Sequence, residues 1–381
     1  MKHIILSIIL ALTCLQSHAQ NIMGSHTFRI GDKVTKQIVE NTPERESSEN
    51  RVWDLRDLSD LDEKHKVVYT DVYNKEQLVA GIEKSTRHYY EQRHDSLVSW
   101  GYENNLTKVE YDSPVLLLKT PLVYGTRHDG LFHGIYSYCE KLFGRIFGEY
   151  QVSVDGMGMM LLPSGDTLRH VSRVHVRELK ALRCYPLVTT EKELRAYVDS
   201  LPFTNDSVRM AMTADSLLAE TNYYRWYAAG YRYPILEVVE TGQQGGEAPS
   251  VAYYCAPEEQ ETLYDEENEK IREQLAALDR QEADSGGNNG NGQNGNLPSA
   301  LSRYDVTVNG QTITIDYDLS EGATVKGLVC NVQGMLLRQQ AQNHPAGEHY
   351  QMQLDCTGLR RGEYVLYLNV NGQVTSSTVS W

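Results

Sequence analysis

The sequence predicts a mainly β protein with a large N-terminal domain and a smaller C-terminal sandwich. Apolar residues alternate with polar ones in many short segments, which is the pattern of strands with one packed face. The composition has 25 Tyr against 5 Phe, and tyrosine suits strands with one packed and one wet face. Turn-forming Asn-Gly pairs separate strand-like segments at two places near the C-terminus.

Charge and hydropathy exclude several classes of protein. Among the 381 residues, 36 Lys and Arg stand against 51 Asp and Glu, which gives a net charge of −15. Phosphate binding needs a basic patch, so a nucleic-acid partner is not expected. No apolar run beyond the N-terminus approaches the roughly 20 residues of a membrane-spanning helix, so we predict no transmembrane segment.

Residues 1–19 are typical of a secretory signal peptide. Lys2 and His3 precede a short apolar stretch at 4–15, and Ser17-His18-Ala19 has the small-x-small pattern of a signal peptidase site. The expected mature N-terminus is Gln20. Lipoprotein processing at Cys14 is the alternative. The expected locations are the medium, the outer surface or the periplasm.

Residues 20–255 form the predicted β-rich N-terminal domain. Two helix-prone segments, at 191–199 and about 205–219, interrupt it. At 155–158 the sequence Asp-Gly-Met-Gly resembles a phosphate loop but precedes an apolar strand, so we predict a turn or bulge there. The predicted strands lie at 66–69, 85–90, 96–100, 116–118, 149–154, 159–162, 171–178 and 235–240.

An acidic helix and a flexible linker follow. Residues 257–284 hold 11 acidic and 3 basic side chains, and Ile271, Leu275 and Leu278 give only a narrow apolar stripe. We therefore predict a solvated helical stalk over 256–284. Residues 285–299 are rich in Gly and Asn, which predicts a flexible linker.

Residues 300–381 read as strands throughout. Asn309-Gly310 separates two alternating runs and predicts a tight hairpin, and Asn371-Gly372 repeats this arrangement near the C-terminus. About seven short strands in 80 residues fit a small sandwich. Cys330 and Cys356 lie in this segment and are candidates for a disulfide, with two buried thiols as the alternative.

The C-terminal segment resembles the immunoglobulin-like sorting domain of type IX secretion cargo. The resemblance is carried by residues 325–334 (VKGLVCNVQG) and 354–366 (LDCTGLRRGEYVL). It implies an immunoglobulin-like β-sandwich that the secretion machinery recognises as a sorting or anchoring module.

The N-terminal region is similar to an uncharacterised family of secreted bacterial proteins that carry such tails. The matching segments are 52–55 (VWDL), 121–125 (PLVYG), 154–165 (VDGMGMMLLPSG) and 224–234 (YRWYAAGYRYP). This resemblance implies a β-rich exported domain and assigns no catalytic residue.

One aromatic cluster is a candidate ligand site. Aromatic rings pack on the CH faces of sugars while arginines reach hydroxyl groups, so this cluster suits glycans. The alternative is that alternation over 223–227 buries half of these side chains and that Gly230 turns the chain. The candidate ligand-binding residues are Tyr224, Arg225, Trp226, Tyr227, Tyr231 and Arg232.

The sequence carries no linear motif for catalysis, a cofactor or a metal. HExxH, GxSxG, Walker and EF-hand patterns are absent, and no Cys/His group has metal-ligand spacing. We therefore expect an exported, non-enzymatic surface or extracellular protein that binds an unknown ligand, with secretion machinery or outer-surface glycans as partners. A glycan-binding module is one alternative. A hydrolase is another, because strand-borne acids need no linear motif.

Overall fold

The computed structural model describes residues 23–61, 64–200, 203–214, 218–285, 298–331, 336–371 and 373–381. The chain is mainly β, as predicted. The predicted signal peptide and all but a few residues of the predicted linker lie outside the described residues, so both stay predictions.

The described chain contains twenty-one strands and four helices. The strands that precede the C-terminal segment are β1 (Lys33–Glu40), β2 (Ser48–Asp54), β3 (Ser59–Asp60), β4 (His65–Asp71), β5 (Leu78–Glu83), β6 (Thr86–Arg93), β7 (Ser96–Glu103), β8 (Thr107–Lys119), β9 (Arg127–Tyr138), β10 (Leu142–Leu161), β11 (Thr167–Cys184), β12 (Ala219–Ala228), β13 (Leu236–Gln243) and β14 (Ser250–Tyr254). The helices are α1 (Glu191–Ser200), α2 (Asn205–Ala214), α3 (Pro257–Glu261) and α4 (Glu266–Ser285). The C-terminal strands are β15 (Leu301–Asn309), β16 (Thr312–Leu319), β17 (Ala323–Asn331), β18 (Leu336–His344), β19 (Gly347–Asp355), β20 (Glu363–Val370) and β21 (Gln373–Ser380).

The chain divides into two compact units. Among the described residues, the first unit contains those within 23–40, 59–155 and 172–268, and the second contains those within 41–58, 156–171, 269–285 and 298–381. The second unit therefore combines the predicted C-terminal module with two segments from far earlier in the chain. The sequence gives no sign of this combination, because consecutive segments of the unit are separated by nearly 100 residues.

The first unit contains a closed barrel of twelve strands. Starting from β1, the strands follow in the order β4 to β14, and β14 pairs with β1 to close the ring. Neighbouring strands approach each other closely at glycine residues. A Cβ atom added at Gly148 would lie 2.1 Å from the Leu179 carbonyl oxygen, so only glycine allows this close approach of backbones.

Two helices cover part of the outer face of the barrel. Leu194 of α1 packs against Ile135 and Phe143, and Val208 of α2 packs with Phe147. A threonine caps the start of each helix. The Thr190 hydroxyl oxygen accepts the backbone N–H of Glu193 in α1, and the Thr204 hydroxyl oxygen accepts that of Ser207 in α2. The two predicted helical segments are therefore confirmed, although α2 ends at Ala214.

The C-terminal part of the second unit has two sheets that share one core. One sheet has the order β18–β17–β20–β21 and the other β15–β16–β19. Ile315 and Met352 from the second sheet pack in one cluster with Val329 and Leu366 from the first. The hairpin predicted at Asn309-Gly310 joins β15 to β16, but the turn lies one residue later, at Gly310-Gln311, because Asn309 still pairs with Thr312. Gly310 has a φ of 62°.

The opposite face of the four-stranded sheet is also covered. Leu328, Cys330 and Tyr367 pack against Met159 of β10, with Val52 of β2 beside them. These contacts lie within the second unit, and both early segments belong to it. The strand β2 also pairs in parallel with the end of β10 across an irregularity between Gly156 and Gly158, where a turn or bulge is predicted.

Candidate functional site

The candidate site is the interior face of the barrel. Paired residues of neighbouring antiparallel strands share a face, and Lys36 pairs with His65 while Arg225 pairs with Glu237. Tyr90 on β6 lies close enough to Lys36 on β1 and to Tyr223 on β12 to perturb their ionisation. These strands are not neighbours in the sheet, so their side chains point into a shared interior.

Four charged groups form an alternating chain in this interior. The Lys36 ammonium lies 3.2 Å from a Glu237 oxygen and 3.5 Å from a Glu83 oxygen. Arg225 donates from Nε to the other Glu237 oxygen at 2.8 Å. The second Glu83 oxygen lies 2.7 Å from Nε2 of His65. Two cations and two carboxylates alternate, so the formal charges of the four sum to zero.

The electrostatics keep these groups ionised. Burial opposes the charge on Glu237, but Arg225 and Lys36 outweigh it and lower the pKa of this carboxyl to about 2. Burial likewise opposes the charge on Lys36, and the two glutamates raise its pKa well above the ordinary value. Neither group is therefore poised to exchange a proton near neutral pH.

The interior is not packed solid. The side chains of Lys36, Arg225 and Glu237 stay 13–15% exposed although they point into the barrel. A barrel of eight strands is about filled by its own side chains, so twelve strands leave more room. The chain therefore encloses a lined space within the first unit.

Tyrosines line much of this space. Within the described chain, none of their hydroxyls forms a hydrogen bond to the protein, and none is sealed from solvent. The Arg225 guanidinium lies 4.7 Å from the Tyr223 ring, and its two terminal nitrogens donate to no described residue. These tyrosines are Tyr69, Tyr90, Tyr102, Tyr111, Tyr223, Tyr227 and Tyr253.

A strap formed by residues 23–32 closes one end of the barrel. Phe28 lies with its ring centroid 4.7 Å from both Tyr69 and Tyr90. The buried Arg232 donates a hydrogen bond to the Thr27 carbonyl of the strap and forms an ion pair with Asp265 at 2.6 Å. Glu83, at the last position of β5, is the most exposed member of the charged chain at 24%. Access to the interior is therefore better at the end that carries Glu83.

The contacts that anchor the strap include the start of the predicted acidic stalk. Asn268 in the first turn of α4 is fully buried and donates to the Ser25 carbonyl and to Asp265. Burial opposes the charge on Asp265, but hydrogen bonds from Arg232 and Asn268 lower its pKa to about 2. Helical structure is present in the predicted region, but it is divided into α3 and α4, and the buried Asn268 at the start of α4 belongs to the first unit.

The six predicted ligand-binding residues lie in three different environments. Arg225 and Tyr227 face the interior, whereas Tyr224 and Trp226 face outward because adjacent strand residues alternate. Trp226 has no exposed surface, and its ring and that of Tyr224 lie near the buried guanidinium of Arg173. Tyr231 and Arg232 follow β12, where Tyr231 donates to Glu261 of α3 and Arg232 donates to Ser25 of the strap. Their role as a single glycan site stays a prediction.

Sequence reasoning did not find Lys36, Glu83 and Glu237. These residues lie on three strands at unrelated positions, and no linear spacing links them. The alternation of Tyr223, Arg225 and Tyr227 was the only available signal, because a charged residue between aromatic residues on one strand face is unusual for a packed core.

The two cysteines of the candidate disulfide are not bonded to each other. Cys330 and Cys356 are free thiols, buried in separate apolar clusters. Burial raises the pKa of Cys330 to about 11 and also raises that of Cys356.

In the part of the chain that the structure describes, no three His, Cys, Asp or Glu side chains group to hold a metal ion. None of the described helices is long and apolar enough to cross a membrane.

The comparisons with known proteins give little. No family model matches the chain, and no curated protein matches it. Among solved structures, the chain is similar to one described as "Biofilm associated protein - BSP domain", with 8% identity and a TM-score of 0.19. The match covers 94% of this chain and 78% of that one. At this TM-score the likeness carries no conclusion about fold or function.

Proposed function

We propose that the protein is an exported, non-enzymatic binding protein that takes up a small polar ligand inside the twelve-stranded barrel. The observation that carries the proposal is the lined interior itself. Its charged chain and tyrosine hydroxyls remain partly exposed, and the Arg225 terminal nitrogens have no protein partner among the described residues. Buried polar groups are normally satisfied, so free donors in an enclosed space suit a ligand.

The hydrolase alternative receives no support from this interior. The two glutamates flank Lys36, and Glu237 has a pKa near 2. A general acid needs a raised pKa so that it holds a proton at neutral pH. The arrangement suits binding better than proton transfer.

A thermal shift screen tests the binding proposal. We expect a ligand from a library of small polar compounds to raise the melting temperature, because binding to the folded state stabilises it. Arg225→Lys keeps the charge beside Glu237 but removes the free terminal donors, so this shift should shrink. The matched control is Arg177→Lys. Arg177 also pairs with a glutamate, Glu220, at 2.8 Å, but its side chain lies on the outer face of the barrel. The proposal fails if no compound gives a shift that Arg225→Lys reduces and Arg177→Lys spares.

Export is the second part of the proposal, and the signal-like residues 1–19 support it. We expect mass spectrometry of the protein from the medium or cell surface to find Gln20 as the first residue. Intact protein in the cytoplasm, with Met1 attached, would contradict export.

The C-terminal sandwich is proposed to act in sorting or anchoring, on the strength of its resemblance to type IX cargo domains. Deleting residues 300–381 is a poor test, because the deletion uncovers the apolar side chains around Met159. Charge reversal at the exposed Arg360 and Arg361 leaves this packing intact. Surface delivery should fall for Arg360→Glu with Arg361→Glu and stay normal for Lys75→Glu with Lys84→Glu. Equal delivery of both variants would refute the sorting role.

A further inference from the structure

We infer that the ligand of the barrel interior is a neutral saccharide. This inference rests on the proposed binding function and names the chemical class of the ligand. Three features of the interior carry it: the balance of its charges, the supply of free hydrogen-bonding groups, and the aromatic walls.

The balance of charges disfavours an ionic ligand. Lys36 and Arg225 are already paired with carboxylates, at 2.8–3.5 Å. An anion would have to compete with Glu237 for both cations, and a cation would have to compete with Lys36 for both glutamates. Farther round the same face, Glu178 lies 3.7 Å from Lys180 and is matched as well. A neutral ligand adds hydrogen bonds without breaking an ion pair.

The free hydrogen-bonding groups match hydroxyls. The terminal nitrogens of Arg225 are donors only, whereas the tyrosine hydroxyls donate and accept. Each glutamate oxygen has two lone pairs, and each Glu237 oxygen accepts from one described partner, Lys36 or Arg225. A sugar hydroxyl donates and accepts at once, so it satisfies a donor and an acceptor that lie side by side. Hydrogen bonds to ionised groups are also the stronger kind.

The walls match the apolar faces of a sugar ring. His88 lies between two interior tyrosines, with its ring centroid 6.1 Å from Tyr90 and 5.8 Å from Tyr102. Tyr253 lies on the Lys36 side, with its ring centroid 5.4 Å from the ammonium. Aromatic faces pack against the CH groups of a pyranose while the ring edge meets polar partners. A fatty acid would leave the charged chain unsatisfied, which is costly in an enclosed space.

The test uses variants that remove hydroxyls alone. Tyr223→Phe with Tyr90→Phe deletes two interior hydroxyls that have no partner in the described protein, so the fold should be unaffected. The matched control is Tyr89→Phe, which removes an outward hydroxyl bonded to Glu103 at 2.6 Å. The full mature chain is titrated by calorimetry with neutral oligosaccharides of glucose, xylose, mannose, galactose and N-acetylglucosamine. Sialyllactose, oligogalacturonate and laurate are titrated in parallel.

The expected result is binding of a neutral oligosaccharide that weakens about tenfold in the double variant, since each lost hydrogen bond costs severalfold in affinity. The affinity should stay the same in Tyr89→Phe and should change little with salt, because no charge is neutralised. If a neutral sugar binds the double variant with the same affinity as the native protein, the inference is wrong. Binding of sialyllactose or oligogalacturonate that depends on the two tyrosines would show that the ligand is an acidic and not a neutral saccharide, and such binding of laurate would overturn the saccharide class. Either result overturns the inference but keeps the binding chamber. If the double variant alters the binding of none of these probes and the thermal shift screen is also negative, both proposals fail.

Discussion

Replacing His26 by phenylalanine should remove much of the pH dependence of folding between pH 7 and pH 5. His26 lies in the strap that closes the barrel, is 4% exposed, and has its ring centroid 4.9 Å from that of Tyr227. Burial disfavours the charged imidazolium and lowers the pKa to about 4 from an ordinary value of 6.5. Phenylalanine keeps the ring contact and has no proton to gain.

The sign and size of the effect follow from linkage. Because the folded pKa is depressed, the unfolded chain binds the proton first, and stability falls as the pH drops below about 6.5. The difference between 6.5 and about 4 corresponds to about 3 kcal/mol at about 1.4 kcal/mol per pH unit. About 2 kcal/mol of this is lost by pH 5, and the rest is lost by the time the pH passes below 4. The carboxylates with pKa values near 2 contribute only at lower pH.

The assay is a urea titration at each pH, read by hydrogen exchange of residues 23–40 so that the signal comes from the first unit. The native chain should lose about 2 kcal/mol more stability than His26→Phe between pH 7 and pH 5. His94→Phe is the control, because His94 is exposed in the turn after β6. If the native and His26→Phe curves run parallel, the buried imidazole does not set the pH dependence and the reasoning is wrong.

Three further predictions concern the two units. Asp265→Asn should destabilise the strap by about 3 kcal/mol, because it removes the buried carboxylate that pairs with Arg232 and leaves that buried guanidinium, among the described residues, only the exposed Glu267 as an acidic partner. Glu267→Gln, at this 65% exposed partner, should cost under about 1 kcal/mol by the same urea assay. In the second unit, Met159→Ala should lower the free energy of unfolding by about 2 kcal/mol or more, and the exposed Met210→Ala should change it by under about 0.5 kcal/mol. In native protein a thiol reagent should label two cysteines at once and the buried ones only on unfolding, so fast labelling of three or more would contradict the fold. The two exposed cysteines are Cys139 and Cys184.

Local features of the fold were predictable because their causes are local. Alternating apolar residues fixed the strands, and Asn309-Gly310 fixed the hairpin between β15 and β16. The helix at 191–200 follows a threonine cap and has one apolar residue buried on its packed side. Each of these depends on residues within a few positions of one another.

The composition of the second unit was not predictable in this way. Val52 and Met159 are ordinary strand residues in the sequence, and nothing near them indicates Leu328 or Tyr367 as neighbours. Apolar contacts are non-directional, so a strand's pattern shows that one face is buried but not what buries it. Cys330 and Cys356 illustrate the same limit, because lying in one small sandwich did not put them in one cluster.

The sequence by itself determined that the chain is built of strands and that Tyr223, Arg225 and Tyr227 share a face. Only the tertiary structure decided that this face points into a closed barrel and that Arg225 meets Glu237 beside Lys36. Period-two alternation assigns side chains to two faces without saying which face is inside. Closure of the ring makes that choice, because it brings strands 200 residues apart in the chain into pairing distance.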